Sequence, residues 1–357
     1  MSKFIPKPKV NIDYVPRLSH WVKDRESYFT MERNERVDEF NISTMKILKK
    51  ISSYDLRTYP DTYYLYKSLA NRLKVKENNI LVTEGADGSL LRVFNVFVDK
   101  GDKVLTLEPG YAMYPVYCKM FKAKYIPIKL TPSNNDDYFL KLKKLIKLHK
   151  PKIIAIANPN QPIEVLLNIK QLNEICKLAN QYKSIFIVDE AYYHFNKVSA
   201  KSLIKNYKNL IVVRTFSKAF GLAGLRVGYT ISNEKNIGFL KSIKPIYEIN
   251  SINIKIILFF LKNLKIMRQY VEDVNISRNI LIKFFQKYKI KVYGKFSNTV
   301  LIEFSDLNTA KIIAKKLYQK RYIVRFMNFQ NKGFIRLTLS GKKIINNCLK
   351  EIKKILK

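Results

Sequence analysis

Strand-like and helix-like segments alternate along most of this chain, and this alternation limits the possible folds more than any other feature. Short apolar, β-branched runs are separated by stretches in which apolar residues recur at helical spacing. The alternation predicts an α/β fold, in which a mostly parallel sheet carries helices on both faces. Seven strands are predicted, at 80–83, 103–108, 124–128, 153–157, 185–189, 210–215 and 226–231, with helices at 62–73, 89–98, 140–148, 169–182 and 236–242.

The pattern changes near residue 252. A long helical stretch rich in Lys, Ile and Leu begins there, and strands near 299–304, 322–326 and 333–339 follow it around another helix. We therefore predict a large domain over 41–251 and a smaller α+β domain over 252–357. Residues 1–40 precede the alternating pattern and are predicted to pack on the smaller domain.

The chain is strongly basic. It holds 66 Lys and Arg residues against 28 Asp and Glu residues, a formal net charge of +38, which raises the question of nucleic-acid binding. The basic residues are spread over polar helix faces rather than gathered with exposed aromatic residues. We therefore attribute the charge to overall composition and expect no nucleic-acid partner. The charge can still attract anionic substrates.

Targeting signals and cysteine usage point to a reducing compartment. Residues 1–10 build no secretory leader, and the apolar run at 256–261 is far shorter than the roughly 20 residues of a membrane span. The three cysteines, Cys118, Cys176 and Cys348, are widely separated, and only three histidines accompany them. We expect a cytoplasmic protein with neither a membrane span, a disulfide framework nor a metal site.

Two segments carry the most specific chemistry. In 214–229, a strand that ends in hydroxyl residues is followed by Lys218, a glycine-containing bend and Arg226, which places an anion site beside a reactive amine. In 185–192, an apolar strand delivers Asp189 to its carboxyl end, where open α/β sheets bind ligands. Together these segments resemble pyridoxal-phosphate (PLP) enzymes of the aspartate-aminotransferase fold type, class I/II. More narrowly, they are similar to the histidinol-phosphate aminotransferase branch.

The resemblance covers about residues 34–341, and it implies PLP fold type I with pyridoxal 5'-phosphate as the cofactor. Lys218 would then bind the cofactor aldehyde and move the proton between the substrate Cα and the cofactor. Asp189 would pair with the pyridine nitrogen, and Tyr192 would donate to the cofactor's phenolic oxygen. The ordinary alternatives are a solvated loop lysine, an aspartate that caps a helix and a buried core tyrosine.

The resemblance also implies a phosphate site with several donors. Ala86 and Asp87 follow a strand and open a helix, whose N-terminal N–H groups can meet an anion. Thr215, Ser217 and Arg226 would approach the phosphate from the other side, and Arg226 would supply a bidentate positive charge.

Two further positions match cofactor contacts of the family, and two others depart from its pattern. Tyr111 would stack over the pyridine ring, and Tyr59 would reach the phosphate of a neighbouring subunit, which implies a homodimer with shared active sites. The alternatives are a core aromatic residue and a plain Tyr-Pro turn. Gln161 and Glu164 stand where the family usually has Asn and Gly. Either the backbone at Gln161 is displaced, or Tyr192 alone contacts the phenolic oxygen.

By the same resemblance, Arg336 would bind the substrate carboxylate or phosphate, and Arg325 would be the second arginine of the histidinol-phosphate branch. Two guanidinium groups suit a phosphate better than a lone carboxylate does. In a chain with 66 basic residues, coincidence is the alternative for both. Asn34 and Glu35 match the N-terminal active-site segment of the family, and Asn298 is a further candidate substrate contact.

The leading hypothesis is therefore a PLP-dependent aminotransferase that moves an amino group from a glutamate-type donor to a keto acceptor, expected to be phosphorylated. The runner-up is a PLP-dependent decarboxylase of a phosphorylated amino acid, similar to threonine-phosphate decarboxylase. A third hypothesis is a non-catalytic, basic nucleic-acid-binding protein on an enzyme fold. The intact set of Lys218, Asp189 and Arg226 argues against that third hypothesis.

Overall fold

The computed structural model describes residues 22–132, 135 and 137–356, so the stretch at 1–10 and the rest of 1–21 lie outside it. Its strands are β1 (Phe29–Thr30), β2 (Ile80–Thr83), β3 (Lys103–Glu108), β4 (Lys124–Lys129), β5 (Ile153–Ala157), β6 (Ile185–Asp189), β7 (Leu210–Thr215), β8 (Gly228–Ile231), β9 (Lys291–Tyr293), β10 (Thr299–Glu303), β11 (Tyr322–Ile323), β12 (Arg325–Phe329) and β13 (Lys332–Thr338). Its α-helices are α1 (Ile42–Met45), α2 (Ser53–Arg57), α3 (Tyr63–Leu73), α4 (Gly85–Phe97), α5 (Met113–Met120), α6 (Tyr138–His149), α7 (Ile169–Gln181), α8 (Tyr193–Asn196), α9 (Glu234–Lys241), α10 (Ser251–Lys262), α11 (Leu264–Gln286), α12 (Leu307–Gln319) and α13 (Lys342–Leu356).

A seven-stranded sheet organises the larger part of the molecule, in the order β2-β8-β7-β6-β5-β3-β4. Strand β8 runs antiparallel to both of its neighbours, β2 and β7, and the remaining pairs are parallel. The prediction of a mostly parallel seven-stranded α/β sheet is thus confirmed. Every residue of β5 and β7 is buried, because helices cover both faces of the sheet, and such strands read as continuous apolar runs.

The element boundaries differ from the predicted ones where polar or irregular residues interrupt the pattern. Helix α4 begins at Gly85 rather than at residue 89, since its first turn carries no apolar periodicity. Strand β8 begins at Gly228 rather than at 226, because Arg226 adopts a left-handed conformation with φ 51°. The predicted strand at 322–326 is two strands, of which β11 pairs with β1 and β12 pairs with β13.

A second, smaller unit is built on the antiparallel sheet β12-β13-β10-β9. Helices α11, α12 and α13 contribute to its core, and Met31 of the N-terminal segment is fully buried there. The parallel pair of β1 and β11 also ties that segment to the smaller unit. Helix α10 was assigned from the sequence to the smaller domain. Its buried side chains instead pack into the hydrophobic core formed with the large sheet.

The sheet gathers several chain segments at one edge. Because β5, β6 and β7 are parallel, their carboxyl ends at Ala157, Asp189 and Thr215 lie side by side. The register Thr83–Gly228–Thr215 brings the end of β2 to the same edge, although β8 intervenes. This edge is where an open α/β sheet binds its ligand. None of the helices in the described part of the chain has both the length and the apolar character needed to cross a bilayer.

Candidate active site

A cavity of about 630 Å³ opens at this edge of the large sheet. Its walls come from the N-terminal segment, from the carboxyl ends of the central strands and from one strand of the smaller unit. The predicted site residues that line it are Asn34, Glu35, Ala86, Asp87, Tyr111, Gln161, Asp189, Tyr192, Thr215, Ser217, Lys218, Arg226 and Arg336. Residues separated by as many as 302 positions along the chain therefore meet in one space, from Asn34 to Arg336.

Lys218 projects into the cavity three residues after the end of β7. Its Nζ donates to the backbone carbonyls of Asn34, at 3.2 Å, and Arg33, at 3.4 Å. Desolvation, followed by repulsion from Arg336, lowers the pKa of Lys218 to about 8. An amine with this pKa is partly uncharged near neutral pH, as a lysine nucleophile or general base must be.

Asp189 is the last residue of β6 and is 5% exposed. Its Oδ1 accepts a hydrogen bond from the backbone N–H of Ala191 at 3.0 Å, which is the local capping contact that a strand-end aspartate can make. No ion pair to Asp189 is present in the described ranges. Burial therefore raises the pKa of Asp189 to about 7. A buried carboxyl group in this state is suited to a ligand that brings its own positively charged N–H.

The other end of the cavity is built for an anion. Arg226, held in its left-handed conformation, places Nη1 3.3 Å from Ser217 Oγ and Nη2 3.0 Å from Asp87 Oδ2. The Thr215 hydroxyl lies 2.9 Å from the Ser217 hydroxyl. The first turn of α4 adds backbone N–H groups that have no acceptor within the helix.

Close packing at two glycines shapes this anion-binding end. A Cβ on Gly228 would lie 2.5 Å from the backbone carbon of Gly85 and 2.7 Å from the Ala86 nitrogen. A Cβ on Gly85, whose φ is +73°, would lie 2.8 Å from the Arg226 guanidinium. Only glycine therefore allows β8 and Arg226 to lie directly against the start of α4.

Tyr192 is buried, and its hydroxyl oxygen accepts a 2.6 Å hydrogen bond from Asn34 Nδ2. Burial raises the pKa of Tyr192 to about 12, so the phenol keeps its proton at neutral pH. Tyr111 also lines the cavity, and its hydroxyl donates to the Asp87 carboxylate. That contact fixes the plane of the Tyr111 ring at the cavity wall.

Arg336, on β13, enters the cavity from the smaller unit. One of its terminal nitrogens donates to the Glu32 carbonyl, whereas its buried Nε has no partner among the residues that the structure describes. Burial lowers the pKa of Arg336. A buried guanidinium N–H without an acceptor is suited to bind a carboxylate or phosphate oxygen of a ligand.

Other predicted substrate and cofactor contacts lie apart from the cavity or are already paired. Arg325 is the cross-strand neighbour of Arg336 but does not line the cavity. Glu35 lines the cavity while accepting a 2.6 Å bond from Arg25. Tyr59 lies outside it, with its side chain 78% exposed and stacked on the Tyr247 ring at a centroid distance of 4.4 Å.

A buried ion pair behind the cavity was not predicted from the sequence. Glu190 and Arg214, one residue beyond Asp189 and one before Thr215, form a 2.9 Å salt bridge, with side chains 0% and 6% exposed. The pair braces the neighbouring ends of β6 and β7, which carry Asp189 and Thr215. A signal was available, because each charged residue stands at the end of an otherwise apolar strand.

Arg36 was also missed as a structural residue of the site. Its guanidinium lies 4.4 Å from the Phe40 ring centre and 4.6 Å from the Tyr270 ring centre. Its side chain also packs closely against Gly221, in the bend that follows Lys218. Arg36 thus fastens the N-terminal segment to the Lys218 loop. The sequence offered no clear signal for this contact.

Comparisons with known proteins identify the family of this chain. The family model for aminotransferase class I and II matches residues 41–347, and the chain belongs to that family. It is therefore an aminotransferase, and it falls with the histidinol-phosphate aminotransferase branch. The histidinol-phosphate aminotransferase of Caldanaerobacter subterraneus subsp. tengcongensis is 33% identical to it over 339 residues, which cover 92% of this chain and 93% of the relative.

Solved structures show the same fold at lower sequence identity. Histidinol-phosphate aminotransferase from Sinorhizobium meliloti, in complex with pyridoxal-5'-phosphate, superposes with a TM-score of 0.80 at 20% identity, covering 92% of this chain and 90% of that one. L-threonine-O-3-phosphate decarboxylase from Porphyromonas gingivalis superposes with a TM-score of 0.75, also at 20% identity, covering 92% and 99%. The predicted fold, PLP fold type I, is thus confirmed.

Proposed function

We propose that this aminotransferase uses pyridoxal 5'-phosphate to move an amino group from a glutamate-type donor to a phosphorylated keto acceptor, as a histidinol-phosphate aminotransferase would. One observation carries the proposal. Lys218, an amine with a lowered pKa, shares a single cavity with an anion-binding end at Arg226 and with the Arg336 Nε, which has no partner among the described residues. A cytoplasmic location belongs to the same proposal, and the three unpaired cysteines support it.

The cavity fits PLP at both ends of the cofactor. Arg226, Ser217, Thr215 and the first amides of α4 would hold the phosphate group. Asp189, which has no cation partner in the described chain, would accept the N–H of a protonated pyridine ring. When bound, PLP supplies an electron sink for the charge that develops at the substrate Cα.

The chain's own residues would then perform three tasks. Lys218 would remove and return the proton at the substrate Cα, since its pKa near 8 allows both states. Asp189 would keep the ring nitrogen protonated, and Arg336 would orient the substrate carboxylate. The same lysine serves both half-reactions, because the donor and the acceptor occupy one site in turn.

Arg325 supports a phosphorylated acceptor. It stands directly opposite Arg336 in the register of β12 and β13, so its side chain is the cross-strand neighbour of the one arginine of β13 that enters the cavity. A carboxylate is satisfied by one bidentate guanidinium, whereas a phosphate has acceptor oxygens left for a second one.

The test is to mix the purified protein with glutamate and follow both the cofactor absorbance and the release of 2-oxoglutarate. The aminotransferase proposal predicts a change of absorbance that is reversed by a phosphorylated keto acceptor. Separate incubation with phosphorylated amino acids would reveal the decarboxylase alternative through CO₂ release. Release of CO₂ without amino transfer from glutamate would overturn the proposal.

The proposal includes a homodimer in which Tyr59 serves the neighbouring active site. Tyr59 is exposed, and so are the apolar side chains of Ile42, Leu56 and Ile246, which a second copy of the chain would cover. Two inactive variants, Lys218→Ala and Tyr59→Ala, provide the test. In a dimer with shared sites, mixed dimers contain one intact site, so an equal mixture should regain about a quarter of the wild-type activity. No recovery after subunit exchange, or a fully active monomer in light scattering, would contradict it.

A further inference from the structure

Gln161 lines the cavity where its family usually has Asn, but its side-chain amide is directed elsewhere. Its Nε2 donates to Glu164 Oε1 at 2.9 Å and to Ser297 Oγ at 2.8 Å. Its Oε1 accepts from Thr299 Oγ1 at 2.8 Å. A primary amide has two N–H donors, and both are in use. Gln161 therefore has no N–H left for a ligand in the cavity.

Glu164, the other departure from the family, binds the same partner segment. Its Oε2 accepts from the backbone N–H groups of Lys295 and, at 2.9 Å, Phe296. The segment at 295–299 connects β9 to β10 in the smaller unit and includes the first residue of β10, and its last three residues are at most 1% exposed. Gln161 and Glu164 thus form a clamp between the loop after β5 and this turn, which we call the 295–299 turn.

The 295–299 turn also contacts the opposite wall of the cavity. Asn298 Nδ2 donates to the Asn34 carbonyl at 3.2 Å. The Asn34 side chain in turn donates to the Tyr192 hydroxyl at 2.6 Å. Because the Tyr192 oxygen is the acceptor in this bond, the tyrosine's own proton points elsewhere, and it has no acceptor in the described part of the chain. That proton is available to a group in the cavity.

We propose that Gln161 and Glu164 are positioning residues that clamp the smaller unit to the cavity wall, and that Gln161 therefore makes no contact with the phenolic oxygen of the cofactor. The family resemblance assigns that contact to Tyr192, which Asn34 orients. The inference rests on the proposed use of PLP. It resolves the alternatives left open by the sequence, because the amide of Gln161 does not replace the family's Asn.

The first experiment is a pH titration of the cofactor absorbance in the holoenzyme. A donor to the phenolic oxygen stabilises the deprotonated form, so Tyr192→Phe should move the midpoint up by about 1–2 pH units, the equivalent of one charge-assisted hydrogen bond. Asn34→Ala should move it in the same direction, and the double variant should move it no further than Tyr192→Phe alone. Gln161→Leu should move it by less than a quarter as much. An equal shift for Gln161→Leu and Tyr192→Phe would overturn the proposal.

The second experiment is hydrogen exchange at the 295–299 turn. Gln161→Leu should speed amide exchange there about tenfold or more, and it should raise KM for the acceptor more than it lowers kcat. Thr299→Val removes one bond from the far side of the clamp and should reproduce the faster exchange while leaving Gln161 in place. Gln319→Leu, at the exposed end of α12, is the matched control. Unchanged exchange in both clamp variants would refute the clamp.

The two experiments also separate this inference from the proposed function. If the purified protein bound no PLP, the proposed function would fail, whereas the exchange measurement would still decide whether the clamp exists. If PLP bound and both tests gave the stated results, the assignment of Tyr192 and Gln161 would stand.

Discussion

Removing the charge of Asp189 should stabilise the protein when the cofactor is absent. Asp189 is buried without a cation partner in the described residues, and its pKa rises from 3.8 to about 7. The folded state therefore binds the Asp189 proton more tightly than the unfolded state does. Between pH 4 and pH 7 the unfolded chain has lost this proton while the folded chain keeps it, so stability falls as pH rises. The full effect corresponds to about 4 kcal/mol.

The variant that reveals this cost of burying the Asp189 charge is Asp189→Asn. Asparagine keeps an oxygen for the Ala191 N–H but carries no charge at any pH. In the absence of cofactor, the difference in unfolding free energy between the variant and wild type should grow in favour of the variant by about 2–3 kcal/mol as the pH rises from 5 to 8. Nearly all of this increase should be present by about pH 7. In the holoenzyme the same change should lower turnover far more than cofactor affinity, because the phosphate contacts are untouched.

Urea denaturation of both cofactor-free proteins at a series of pH values measures the effect. Asp99→Asn, at an exposed position, is the matched control for the loss of one negative charge from the chain. A stability difference between wild type and Asp189→Asn that is the same at pH 5 and pH 8 would refute the reasoning. It would mean that Asp189 already has a charge partner in the empty protein.

Three further outcomes are expected. Lys218→Ala should abolish turnover and leave non-covalent cofactor binding; borohydride reduction with peptide mapping checks the assignment, and a label on another lysine would contradict it. Arg336→Leu should weaken all substrates, whereas Arg325→Leu should weaken only phosphorylated ones, by about 1.5–3 kcal/mol per lost charge-assisted bond. Steady-state KM values on both substrate types distinguish them, and equal effects of Arg325→Leu would argue for a general amino-acid aminotransferase. Glu190→Gln should destabilise the fold by about 3–5 kcal/mol, because it leaves Arg214 charged and buried. A denaturation midpoint equal to that of wild type would show that loss of the ion pair costs no stability.

The sequence predicted the central strands closely, and burial explains why. A strand such as β5 (Ile153–Ala157), covered on both faces, is a continuous apolar run with polar or turn residues at its ends. The residues that line the cavity from the large sheet stand at or shortly after the ends of such strands, as Asp189 and Lys218 do. Their place at one edge could therefore be inferred from strand direction alone.

The contacts made by the smaller unit could not be inferred in this way. Gln161 bonds to Ser297 and Thr299, which lie 136 and 138 residues further along the chain, and short hydroxyl side chains before and at the start of a strand carry no signal of such a partner. The left-handed conformation of Arg226 was equally hidden, because arginine rarely adopts it. The local sequence pattern determines helices and strands, whereas these contacts depend on how distant segments of the chain pack together.

The pairing of distant strands has a consequence for how this protein is made. Strand β2 pairs with β8 through Ile80 and Ile231, and β1 pairs with β11 through Phe29 and Tyr322. A chain growing on the ribosome cannot complete the large sheet until β8 has emerged, and its N-terminal strand has no partner until nearly the whole chain is synthesised. The segment after β1 carries Asn34, whose carbonyl accepts a hydrogen bond from Lys218 Nζ. The active site is therefore among the last parts of a nascent chain to assemble. Unfinished chains released early would therefore lack a complete catalytic cavity, whatever portion of the sheet they had already formed.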